Sequence, residues 1–265
     1  MYATNYHRAS SVEDAVKLRG EHEEGRYLSG GMTLIATMKQ RLAAPSVLID
    51  LRHIPDLRGI SLDGRSVRIG AATPHAEVAE SSTLRSVCPA ICDLAGMIGD
   101  PHVRHMGTIG GSIANNDPAA DYPAAMLALG ATIITDRRWI AADDFFRGLF
   151  ETALEEGEMV TAVTFEAPER AGYAKFANPA SRYALTGVFV AKGADGVRVA
   201  VTGAGANGVF RHAGMEEALS SSWSADALSD AAVEPGDLLS DMHASPAYRA
   251  NLVKVMAKRA VMAAG

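Results

Sequence analysis

Cysteine is scarce in this chain of 265 residues, and the two that occur, Cys88 and Cys92, stand four apart. That spacing suits neither a Cys-x-x-Cys redox pair nor a zinc or iron–sulfur quartet, so they are expected to be small buried apolar residues. An excess of positive charge is missing too. With 25 Lys+Arg against 31 Asp+Glu, the net charge of −6 argues against nucleic acid as the main partner. It leaves open a nucleotide held by backbone amides. No long apolar run occurs: the charge-free stretch Tyr122 to Thr135 is too short and too rich in Ala and Thr to span a bilayer. The start, Met1 to Ser10, lacks the apolar segment of a secretory signal, so a cytoplasmic protein without a membrane span is expected. Repeats and low-complexity tracts are absent.

What remains is ordinary globular material, 48% hydrophobic and 21% charged. At roughly 150 residues per domain, the length suggests about two domains or one elongated α/β unit. The chain opens with a helix after Ser11, with Asp14 three residues past the candidate cap. Tyr27-Leu28 ends a strand that runs into Ser29-Gly30-Gly31-Met32-Thr33. A helix with Leu34, Met38 and Leu42 on one face is expected next, stopped by Pro45. Val47 to Leu51 is a buried strand of the parallel kind. Ile60, Leu62, Val67 and Ile69 alternate around Asp63-Gly64 as a hairpin. Thr73-Pro74 reads as N-cap and first position of a helix, and Leu84 to Ile98 as helix with Pro89 at an end or kink. Leu185 to Val190 and Val197 to Val201 look like paired strands, and the tail from Ala213 looks helical. The pattern is α+β in two or three subdomains.

Three glycine signals compete. Gly203 to Gly208 matches Gly-x-Gly-x-x-Gly after a strand, but no second apolar strand follows at the distance a dinucleotide-binding unit requires, so it reads as a strand-end turn. In Ser29 to Thr33, adjacent glycines allow successive amides to face an anion, with the following helix end adding to the effect. Either a phosphate cradle or a tight turn fits. The segment Gly107 to Asp121 is a glycine-rich loop with the hydroxyls of Thr108 and Ser112 and the carboxylates of Asp117 and Asp121 to meet sugar hydroxyls. Either a cofactor site or a structural loop fits. His102-x-x-His105 lacks a third metal ligand, and neither a Ser–His–Asp set nor a carboxylate pair emerges.

Together, two ordered motifs carry a resemblance. Ser29-Gly30-Gly31-Met32-Thr33-Leu34 is followed by Met38-Lys39-Gln40-Arg41-Leu42, Pro45 and Ile49-Asp50. Gly107 to Ala114 is followed by Asp117-Pro118-Ala119-Ala120-Asp121-Tyr122-Pro123. On these, the chain resembles the flavin (medium) subunit of the molybdenum hydroxylases, of carbon monoxide dehydrogenase and xanthine dehydrogenase type. The resemblance implies a two-subdomain FAD-binding fold of the vanillyl-alcohol-oxidase/PCMH type plus a C-terminal antiparallel sheet with helices. The implied boundaries are 1–56, 57–168 and 169–265. It implies FAD gripped mainly by backbone amides of both glycine segments, at Ser29, Gly30, Gly31, Met32, Thr33, Leu34, Thr108, Gly110, Gly111, Ser112, Asp117 and Asp121. Asp121 would lie near the adenosine ribose and Val160 against the flavin. Catalytic side chains and metal ligands are not implied in this chain. The partners implied are a small subunit with [2Fe–2S] clusters and a large subunit with a molybdopterin cytosine dinucleotide-type molybdenum cofactor, in a dimer of heterotrimers. Electrons would reach an external acceptor through FAD. Ser112 replaces the family's usual Asn, His105 stands where Asn is frequent, and Lys175 to Ser181 lacks the usual basic pair after Phe176. A flavin-free assembly subunit and a self-sufficient FAD oxidoreductase are the alternative functions.

Overall fold

A computed structural model describes residues 1–265. The first 50 residues form β1 (Asn5–Arg8), α1 (Val12–Glu21), β2 (Gly25–Leu28), α2 (Leu34–Lys39) and β3 (Val47–Asp50). The strands pair in parallel in the order β1-β3-β2, so every residue of central β3 is buried, the apolar Val47 to Ile49 and Asp50 with them. Ser11 caps α1 by accepting the Asp14 amide at 3.1 Å, and the Asp14 carboxylate accepts the Ser10 amide at 2.8 Å. Helix α2 is shorter than expected. It ends because Arg41 turns left-handed (φ 61°), the Leu42 amide bonds the Thr37 carbonyl, and the Arg41 amide bonds that of Met38. This is a Schellman closure with Arg where Gly is usual. It leaves Leu42 78% exposed, off the face it was expected to share with Met38.

The middle stretch starts with the hairpin β4 (Ile60–Asp63) and β5 (Ser66–Gly70). A run of short helices follows: α3 (His75–Glu80), α4 (Ser82–Val87), α5 (Pro89–Gly96), α6 (Pro101–Met106), α7 (Ile109–Asn115) and α8 (Tyr122–Ala128). Then come β6 (Thr132–Thr135), β7 (Trp139–Ala141), α9 (Ala142–Phe145), the small hairpin β8 (Phe146–Gly148) and β9 (Glu151–Thr152), and β10 (Val160–Glu166). The sheet order is β4-β5-β10-β6-β7, with β10 antiparallel to both neighbours. Thr73 is not a helix cap. It is fully buried, and its hydroxyl donates to the Gly59 carbonyl and accepts the Gly59 amide, so α3 starts one residue later than expected, with Pro74 in the cap position. Pro89 divides the expected long helix into α4 and α5 at Cys88. Both cysteines lie in the apolar core, and burial pushes the Cys88 thiol up to about 12.

The last part is the antiparallel sheet β11 (Arg170–Ala177), β12 (Ala184–Gly193), β13 (Gly196–Thr202) and β14 (Phe210–Arg211), then α10 (Ala213–Ser221) and α11 (Pro246–Ala263). Both faces of this sheet are buried. Phe189 and Ala191 of β12 face the core that contains α8, whereas Val188 and Val190 face Val253, Met256 and Ala260 of α11. The tail is less helical than expected: between α10 and α11 only single 3-10 turns form, one of them opened by Pro235. Buried Arg249 secures this region, donating to the carbonyls of Leu185 and Gly203 and to the Asp241 carboxylate.

Candidate functional site

A cleft of 930 Å³ opens where the three sheets approach one another. Its size is at the upper end of the roughly 300–1,000 Å³ usual for small-molecule and cofactor sites. All thirteen residues singled out from the sequence line it. Ser29 to Leu34 come from the β2–α2 connection, Thr108 to Ser112 from the start of α7, Asp117 and Asp121 from the approach to α8, and Val160 from the start of β10.

The two glycine segments meet directly. Ser29 Oγ and Thr108 Oγ1 are 2.8 Å apart, and a Cβ on Gly30 would collide with the Met106 carbonyl and the Gly107 Cα. Gly31 has φ +72°, which favours glycine. The amides of the five residues Ser29 to Thr33 have no acceptor within the protein. A run of amides on a cleft wall without acceptors in the protein is an anion-binding arrangement, since each N–H is free to donate to a ligand. This is the observation that the pyrophosphate of a dinucleotide fits.

The second segment differs from expectation. It is not a loop but helix α7, capped by Thr108, whose hydroxyl accepts the Gly111 amide at 3.2 Å. The other early amides are taken as well: Ile109 donates to the Thr73 carbonyl, Gly110 to that of Ala71 and Ser112 to that of Thr108. Its contribution therefore comes from shape and side chains. Gly110 is a packing residue, because a Cβ there would collide with Ala71. Gly111 has only the Thr108 hydroxyl, at 2.9 Å, and Ser29 Cβ, at 3.9 Å, beside its missing Cβ. Ser112 and Asn115 reach the cleft without internal hydrogen bonds for their side chains.

The aspartates divide as well. One oxygen of Asp117 accepts the Ala119 amide at 2.9 Å. The buried Asp121 carboxylate is engaged on both oxygens, by Lys175 at 2.9 and 3.1 Å and by the Tyr173 phenol, and it also lines the cleft. Burial pushes this carboxyl up, while Lys175 and the Tyr173 phenol pull it back. Lys175 Nζ also donates to the Met97 carbonyl, tying β11 to the end of α5. At the start of β10, Glu158 is held down at about 2, chiefly by hydrogen bonds from Arg138.

Sequence reasoning missed Asn115, His75, Phe150 and Tyr183, which also line the cleft. His75 is 5% exposed, stacks obliquely on Tyr122 with ring centroids 5.3 Å apart, and leaves Nδ1 without a partner. No motif flags it, because its burial depends on the α3–α6 arrangement. Burial first, and the Arg104 charge second, hold its imidazole down at about 4. The unfolded chain, with an ordinary value near ~6.5, is protonated first. His75 therefore contributes stability that is whole above about pH 6.5 and is lost as pH falls through about 4. Melting curves between pH 7 and 4 should show a steeper loss for the natural chain than for His75→Gln; parallel curves would refute this. Gly203 to Gly208 forms the turn after β13, and none of its residues lines the cleft. His105 Nδ1 lies 2.7 Å from the Pro101 carbonyl.

Residues 2–167 match the family model described as the FAD binding domain in molybdopterin dehydrogenase. The chain is similar to the nicotine 6-hydroxylase medium subunit of Paenarthrobacter nicotinovorans, 34% identical over 99% of this chain and 98% of that one. It is 36% identical to the carbon monoxide dehydrogenase medium chain of Afipia carboxidovorans, over 97% and 95%. Among solved structures, reconstituted CO dehydrogenase from Oligotropha carboxidovorans superposes with a TM-score of 0.91 at 34% identity, covering 99% of this chain and 98% of that one. Quinoline 2-oxidoreductase from Pseudomonas putida 86 superposes at 0.89 with 26% identity, covering 99% and 97%.

Proposed function

Because the chain belongs to the family of FAD-binding domains of molybdopterin dehydrogenases, we propose that its cleft holds FAD and that the chain is the electron-transfer medium subunit of a molybdenum hydroxylase. The unpartnered amides of Ser29 to Thr33 support this reading most directly, since they would meet the pyrophosphate. In it, Thr108, Gly110 and Gly111 shape the adjoining wall, Ser112, Asp117 and Asp121 offer polar contacts, and Val160 presents an apolar face. Residues 1–56 and 57–168 act as two FAD-binding subdomains and 169–265 as the C-terminal domain. Bound flavin supplies redox chemistry in one- and two-electron steps.

The partners are a small subunit carrying [2Fe–2S] clusters, which delivers electrons, and a large subunit with a molybdopterin cytosine dinucleotide-type cofactor, where substrate is oxidised. The assembly is a dimer of heterotrimers that serves an external acceptor. Medium chains named for nicotine and for carbon monoxide are alike similar to this one, which fits a substrate pocket outside this chain. No helix here is long and apolar enough to cross a membrane.

Purified alone, the chain should carry or take up yellow FAD and should not oxidise N-heterocycles or aldehydes. Absence of flavin uptake would favour the flavin-free assembly subunit. Turnover without partners would favour the self-sufficient oxidoreductase.

A further inference from the structure

The turn of the small hairpin β8–β9 is Leu149-Phe150, and Phe150 adopts φ +57°. A bulky aromatic residue in left-handed backbone is unusual, and glycine or asparagine is the normal choice in such a turn. Its surroundings enforce the conformation. Asn116, 2% exposed and itself left-handed at φ 43°, accepts the Phe150 amide on its backbone carbonyl. Its side-chain amide donates to the carbonyls of Gly148 at 2.9 Å and Glu151 at 2.8 Å, on either side of the turn. One buried residue thus clamps the hairpin at three points. The product is a phenyl ring that lines the cleft and yet is 61% exposed. Neither burial nor turn geometry accounts for that ring.

We infer that Phe150, fixed by Asn116, is a cofactor-contacting residue that packs against a planar ring of the dinucleotide. The inference rests on the FAD reading above. FAD presents a pyrophosphate and two planar ring systems, and the unpartnered amides answer only to the first. An exposed aromatic held against its backbone preference answers to a ring. Strain of this kind persists where the surroundings over-determine it, as at ligand clamps. The two possible ring partners, isoalloxazine and adenine, share the chemistry of an offset or edge-on aromatic contact.

The test uses the full chain and four forms of it: natural, Phe150→Ala, Phe150→Gly and Phe150→Tyr. FAD affinity is measured by calorimetry, the emission of bound flavin by fluorescence, and fold by melting temperature. Ala and Gly should weaken FAD binding about two- to tenfold, the range for loss of one aromatic pair, while Tyr keeps it. Gly accepts the left-handed turn, so it should melt no lower than the natural chain and still bind more weakly. Brighter emission from bound flavin in the Ala and Gly forms would identify isoalloxazine as the ring. Weaker binding with unchanged emission would identify adenine. If Phe150→Gly binds FAD as the natural chain does, with the same emission, the inference is overturned while the FAD reading stands. If the natural chain binds no FAD, both fall.

Discussion

Gly111→Val should give a folded chain that no longer retains FAD, whereas Gly110→Val should give a chain that does not fold. The two glycines are neighbours in sequence and in helix α7, yet their missing side chains meet different surroundings. At Gly110 a Cβ would strike Ala71, backbone included, in a region where the Gly110 amide is bonded to the Ala71 carbonyl. Interior overpacking of that kind has no local remedy. At Gly111 only the Thr108 hydroxyl lies close, at 2.9 Å, a single side-chain atom where Gly110 meets backbone. A valine there would stand in the cleft beside the Ser29–Thr33 amides. Charge-assisted hydrogen bonds are worth about 1.5–3 kcal/mol each, so displacing the pyrophosphate from two of them weakens binding on the order of 100-fold or more. Melting curves and flavin content of the two variants decide it. Stoichiometric FAD in a folded Gly111→Val would remove the pyrophosphate from this wall.

The second large effect concerns Lys175. Its ammonium and the Asp121 carboxylate are 3% and 5% exposed, and each is the other's charge partner. Lys175→Met leaves Asp121 buried with the Tyr173 phenol alone, a change that costs about 3–5 kcal/mol in comparable pairs. Asp121→Asn strands the ammonium in the same way and should cost a similar amount. Replacing both, as Asp121→Asn with Lys175→Met, should recover most of the loss, because the paired ions had to be desolvated in the first place. Urea unfolding of the single and double variants measures this directly. Additive losses would mean that the pair is not coupled. FAD affinity of the folded double variant then separates scaffold from ligand. An affinity near that of the natural chain assigns Asp121 to the wall alone, and a fall of about tenfold or more restores a contact with the cofactor.

Much of the arrangement was legible in the residues. The apolar run of β3, the cap at Ser11, the β4–β5 hairpin and both glycine segments are local signals, and local signals survive into the fold. What escaped was decided by distant neighbours. The closure at Arg41 uses a residue that carries no glycine flag, so α2 seemed a turn longer than it is. Thr73 was spent on Gly59 rather than on a helix end. The second glycine segment looked like a loop because Gly is a poor helix former. It is nevertheless a helix, since Thr108 caps it and contacts with Ala71 and Thr73 satisfy its first amides. Within the candidate site, the sequence located the thirteen residues in one cleft but not their division of labour. Which amides remain unpaired, and that Asp121 turns toward Lys175, depend on Ala71 and Thr73 just after β5 and on strand β11, all distant in the chain. His75 and Phe150 carry no motif at all.

Strand β12 has eight consecutive buried residues, with alternate side chains committed to two different cores. A shift of one position would reverse both sets at once. Mutational freedom should therefore be lowest along this strand and rise abruptly at its entry, where Ser181, Arg182 and Tyr183 reach the cleft from the β11 side. A segment anchored so firmly at its ends can change length and composition without disturbing the cores. Substitutions and changes of length should then be tolerated at the rim of the cleft, and not along the strand behind it.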